Sequence, residues 1–110
     1  MSKLTDFLAY HPLSESYVVP PGKTARELVN LLIARQKTVY NQTIVESGIP
    51  RIALIKHMKK LMKTYSLEDI KRGIDLSVIN SDYPVSIKYV EEMILWRKDL
   101  INYQPYQTSE

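Results

Sequence analysis

Four lysines, Lys56, Lys59, Lys60 and Lys63, recur at i, i+3, i+4 and i+7, and Arg51 stands shortly before the first of them. At about 100° per residue this spacing gathers the ammonium groups on one side of a helix, while Leu54, Ile55, Met58, Leu61, Met62 and Tyr65 fall on the other. The chemistry open to such a face is charge neutralisation of a polyanion, either a phosphate backbone or an acidic protein surface. Lysines on the outer face of an amphipathic helix can also serve solvation alone, and their spacing does not choose between these roles.

Covalent chemistry has few candidates. His57 lies between the apolar and lysine faces with no Ser or Asp at helical spacing to orient it, and His11 stands alone beside Pro12. Glu68-Asp69 and Glu91-Glu92 fall at helix starts or exteriors, with no histidine at metal-ligand spacing. Gly22-Lys23-Thr24 matches the end of a phosphate-binding loop, but Tyr17 occupies the place of that loop's first glycine. No catalytic residue, metal ligand or cofactor is therefore expected, and the chain reads as a binding protein rather than an enzyme.

The elements that must carry these residues read as helices. Thr24 and Glu27 form a capping pair that opens a helix over 25–37, the expected central core helix, with Leu28, Val29, Leu31, Leu32 and Ile33 inward. A second helix is expected over 39–47, ending at Gly48 in a left-handed corner. Pro50 then starts the basic helix, so that 41–65 reads as a helix-turn-helix-like pair. Ile44 stands where that motif wants a small residue, and Ile52 and Ala53 stand where base-reading polar side chains would begin. Backbone contact rather than base readout is the expectation.

Ser66 with Asp69 opens the next helix, whose Gly73 weakens helix propensity and is expected to mark the close approach of a neighbour. Ser86 caps a last helix with Ile87, Val90, Met93, Ile94, Leu100 and Ile101 inward. No segment alternates with period two, so the fold class is all-α. It is a compact bundle of four to five helices with an extended N-terminal arm, in a single domain over 1–110. Residues 1–23 hold a short helix over 2–10 and the arm, 24–103 the helical core, and 104–110 a flexible tail.

Charge is unevenly placed: residues 1–63 carry ten Lys/Arg against four Asp/Glu, and residues 64–110 carry five against eight. There is no cysteine and no apolar run long enough to span a bilayer, which points to a cytoplasmic protein without membrane contact. Eight tyrosines and one tryptophan against one phenylalanine favour rings that work at half-wet surfaces, as at protein interfaces or single-strand stacking platforms. Candidate partner-binding residues are Tyr17, Val18 and Val19 in the arm, and Trp96, Arg97 and Tyr103 near the end.

Residues 65–98 resemble the C-terminal helical domain of DnaD-like primosomal proteins and phage replisome organisers. The shared pattern is an aromatic before a capped helix with spaced isoleucines, a polar turn, then a helix with Tyr, an aliphatic pair and Trp. These are Tyr65, Ile70, Ile74, Tyr89, Val90, Met93, Ile94 and Trp96. The resemblance implies a helical module that binds DNA and helps bring a replicative helicase to an origin. The first reading is thus a phage- or plasmid-type accessory protein of DNA replication that sets Arg51, Lys56, Lys59, Lys60 and Lys63 against phosphates. The alternative is an adaptor or inhibitor that sets the same helix against an acidic partner protein. A homo-oligomeric module is a third reading.

Overall fold

Thr24 accepts a hydrogen bond from the backbone N–H of Glu27, and the Glu27 carboxylate accepts from the N–H groups of Thr24 (3.1 Å) and Lys23 (2.7 Å). This reciprocal cap satisfies donors that a helix start leaves open, and it begins α1, Ala25–Tyr40. The computed structural model describes residues 12–102. Three further helices complete it, α2 (Arg51–Thr64), α3 (Leu67–Ile79) and α4 (Ile87–Asn102), and no strand occurs among the described residues. The all-α bundle expected from the periodicity is present. The helix expected over 2–10, His11, Tyr103 and the tail lie outside the described residues.

The tight helix–corner–helix expected over 39–65 is corrected. α1 continues to Tyr40 and ends at Asn41, whose backbone is left-handed at φ 59°. Thr43 and Glu46 then repeat the reciprocal cap, with the Thr43 N–H donating to Glu46 at 3.0 Å and the Glu46 N–H to Thr43 at 3.3 Å. This cap opens only a turn, over 44–48. Gly48 sits at φ 114°, and Pro50 biases Ile49 away from helical geometry, so one turn is nucleated and cannot propagate. The pair that packs together is α1 and α2, across a connection from Asn41 to Pro50.

Both capping glutamates are held below the usual carboxylate range, Glu27 first by the Lys23 N–H and then the Thr24 N–H, Glu46 first by the Thr43 N–H and then by Lys37. A depressed folded-state value contributes stability that is in place above the ordinary value of 4.5 and is lost as the pH falls through the folded-state value. The thermal midpoint should therefore drop on acidification below that point. Circular dichroism melts of Glu27→Gln should show part of that drop already present at neutral pH and a flatter decline below it.

The central helix is α3, a correction to the expectation that placed 25–37 there. Residues 70–78 are all buried, including Lys71, Arg72, Asp75 and Ser77. One side of α3 packs Ile70, Ile74 and Val78 against Leu28, Leu32, Val90 and Ile94 of the common core. The polar side is covered by the arm. Gly73 marks the closest helix approach: a Cβ there would lie 2.5 Å from Cγ1 of Ile94 and 3.0 Å from the carbonyl oxygen of Val90. The close approach expected from this glycine is thus realised, against α4.

Leu100 and Ile101, expected inward, are exposed. Asp69, near the start of α3, pairs with Lys98 at 3.0 Å and with Arg97 at 3.7 Å. The longer α4 runs past the end of its antiparallel partner, and its last turn has no α3 beside it.

Candidate nucleic-acid interface

On α2 the apolar positions Leu54, Ile55, Met58 and Leu61 are buried against the core, which fixes the rotation of the helix. Lys56, Lys59, Lys60 and Lys63 are consequently all exposed on the outer face, with Ile52 and Ala53 at its N-terminal end. No ion pair or hydrogen bond to any of the four lysines occurs among the described residues. The reason is local: between Glu46 and Glu68 the chain has no acidic residue. Lys56–Lys60 and Lys59–Lys63 are like-charge pairs at i, i+4, each unfavourable by about 0.2–0.5 kcal/mol.

Arg51 is placed differently. Its guanidinium donates to Oδ1 of Asn30 at 2.5 Å, which draws it back over α1. With Asn30, Lys37, Thr43 and Glu46 it lines a shallow depression between α1 and the 43–46 turn. Arg51 thus flanks the lysine face instead of continuing it. His57 is half-buried at the edge of α2. No group of three His, Asp or Glu among the described residues is placed to hold a metal ion. No helix among them is long and apolar enough to cross a membrane.

The arm separates the partner-binding candidates. Val18 and Val19 are exposed, whereas Tyr17 is only 7% exposed and is engaged within the chain. Its hydroxyl donates to the Asp75 carboxylate, and its ring carries the Arg72 guanidinium 4.6 Å from the centroid. Arg72 also donates to the carbonyls of Pro12 and Ser14, and Lys71 to that of Pro20 at 2.6 Å. Arg35 reaches across from α1 to Asp75 at 2.8 Å. Burial pushes the Asp75 carboxyl up while Arg35 and the Tyr17 hydroxyl pull it down, and burial with the neighbouring Asp75 pushes the Tyr17 phenol up. Lys71, Arg72 and Asp75 of α3 are thus engaged in holding the arm.

A mutational contrast should show this. Asp75→Ala removes the carboxylate that Tyr17 and Arg35 share, leaves the Tyr17 hydroxyl the long contact to the Lys71 carbonyl at 3.5 Å, and should cost about 2–3 kcal/mol in urea unfolding. Asp75→Asn keeps one acceptor oxygen, for Arg35, while its amide N–H2 can donate to the Tyr17 hydroxyl, whose own proton turns to the Lys71 carbonyl at 3.5 Å, and it should lose less.

At the other end, Trp96 is 42% exposed beside exposed Leu95. Arg97 is turned away from both, largely buried against Asp69, so the expected Trp96–Arg97 patch is not one surface. The turn expected at Asn80-Ser81-Asp82-Tyr83-Pro84 is present, and the long-range bonds that hold it are what sequence reading missed. Tyr40 donates to the carbonyls of Val78 (2.5 Å) and Ser81 (2.8 Å), Gln36 to that of Val85 (2.8 Å), and Tyr89 to that of Asn80 (3.2 Å). These pins hold a turn from which Tyr83 projects. Only the turn-forming run Asn80-Ser81-Asp82-Tyr83-Pro84 signals it in the sequence. No protein-family model matches the chain, and no curated protein or solved structure matches it either.

Proposed function

We propose that this chain is a non-enzymatic DNA-binding accessory protein that holds a phosphate backbone against the outer face of α2. The observation that carries the reading is the set of four exposed lysines on a helix whose surroundings offer them no carboxylate. A merely solvated face usually interleaves Glu with Lys, because i, i+4 pairs of opposite sign stabilise it. Here the repulsion is left in place, and a polyanion would relieve it. The setting in DNA replication, with a helicase as further partner, is the one implied by the resemblance of residues 65–98.

The test is a salt titration with a labelled duplex and a labelled single strand. If four lysines each displace one counterion, log K should fall with log salt at a slope of about −3.6 on a duplex and about −2.8 on a single strand. Absence of binding to either at low salt overturns the reading.

A second reading is favoured by the exposed Leu95, Trp96, Leu100 and Ile101, which suit a protein partner on α4. In that case the lysines serve an acidic protein surface, and neither nucleic acid binds.

A further inference from the structure

Between the 80–86 turn, the start of α4 and the connection before α2 lies an open groove of about 370 Å³. Its walls are Ile44, Ile49, Tyr83, Pro84, Val85 and Tyr89, with Lys88 and Glu92 at the rim. We propose that this groove takes an unpaired base of a single-stranded nucleic acid whose backbone runs onto the lysine face of α2. The inference rests on the DNA-binding reading above and adds the strand class and the site where a base is held.

Three observations converge on it. First, Tyr83 is 67% exposed, yet its turn is fixed: its carbonyl accepts from the Ser81 hydroxyl at 2.7 Å and its N–H donates to the same oxygen at 3.3 Å. Tyr40, Gln36 and Tyr89 pin the flanking carbonyls. A ring open to solvent on a pinned turn can stack without further ordering of the backbone, and bases stack on such rings whatever their sequence.

Second, the groove has an apolar floor of a size usual for small ligands, with only two charged groups at its edge. Lys88 suits a phosphate. Glu92 repels a phosphate but can accept from an N–H on a base edge, an amino group or the N3–H of thymine and uracil, so the two rim charges orient a nucleotide one way round.

Third, the groove lies beside the start of the basic helix. Ile49 lines it, and Arg51, two residues on, is the first residue of α2. Two residues span at most about 7 Å, so a strand leaving the groove meets the start of α2 within a short reach. The lysine face itself offers no ring between Ile52 and Thr64 other than the half-buried imidazole of His57 at its edge. Phosphate contacts on α2 and base contacts beside Tyr83 are separate parts of one track, as in proteins that follow single strands.

The experiment compares a labelled oligothymidylate, an oligouridylate of the same length and a DNA duplex, each titrated with the wild type, Tyr83→Ala and Tyr83→Trp. Because the backbone bonds of Tyr83 survive truncation and its ring is exposed, the variants should fold, which circular dichroism checks. Tyr83→Ala should weaken single-strand binding about tenfold or more, leave duplex binding and salt slope unchanged, and be rescued by Tyr83→Trp. The oligouridylate arm tells whether a ribose strand without the thymine methyl is tolerated, and an equal Tyr83 effect on either strand supports the proposal. Single-strand binding indifferent to Tyr83→Ala, or an equal loss on the duplex, overturns it while the DNA-binding reading stands. No binding of any nucleic acid by the wild type overturns both.

Discussion

Gly73→Ala should lower the thermal midpoint by about 10 °C, although alanine is the better helix former. Helix propensity alone would return up to about 1 kcal/mol. Against it stands the α3–α4 crossing, where the new methyl would meet Ile94 Cγ1 at 2.5 Å and the backbone oxygen of Val90 at 3.0 Å. Ile94 is almost fully buried and can rotate away only into other core atoms, and the carbonyl moves only if α4 does. Overpacking of this kind typically costs about 1–3 kcal/mol, and at a backbone contact the net loss should be about 2 kcal/mol, or about 8–16 °C in a chain of this size. Ile94→Ala alone should also destabilise, by about 2–4 kcal/mol. The double variant should be less unstable than the two losses added together, because each change makes room for the other. Strict additivity in urea unfolding would mean that the contact is not the cause.

Reversing Lys56, Lys59, Lys60 and Lys63 to glutamate should abolish phosphate binding, leaving no measurable salt-sensitive affinity for DNA. A milder version is more informative. Lys56→Glu alone replaces one repulsive i, i+4 pair with an attractive one, the new carboxylate standing N-terminal to Lys60 in the favourable orientation. It should raise stability by about 0.5 kcal/mol while lowering affinity. Opposite signs in the two measurements would mark the lysines as retained for binding at the expense of stability. A variant that loses stability and affinity together would instead place Lys56 in the structure of the helix.

Much of the framework could be read before the fold was seen. The Thr24–Glu27 and Ser66–Asp69 caps are local patterns, and both form, Ser66 accepting from the Asp69 N–H at 3.1 Å. The apolar positions of α2 set its rotation, so the outward placement of its lysines could be inferred from the period. Gly73 announced a close approach because a helix interior tolerates glycine only when something is gained from it. The features that could not be read depend on partners far along the chain. Lys71, Arg72 and Asp75 look like a solvated face by composition, and become buried because Pro12, Tyr17 and Pro20 lie across them. The end of α1 at Asn41 was hidden for another reason. Asparagine is a second-choice left-handed cap, and Gly48 a few residues later is a stronger stop signal. The base-sized groove joins three separate segments, and no one of them carries its pattern.

The burial of Lys71 and Arg72 under the arm bears on how the interface could be mapped by deletion. A fragment beginning at Thr24 would lose the carbonyls of Pro12, Ser14 and Pro20 and the ring of Tyr17 that now occupy those two cations. It would open the polar side of α3 to solvent, with Lys71 stripped of its carbonyl partner and Arg72 left with Glu68 at 3.0 Å. Such a fragment would adhere to polyanions more strongly than the intact chain and in the wrong place, so a gain of affinity on trimming would report the loss of the arm and not the discovery of a minimal binding unit.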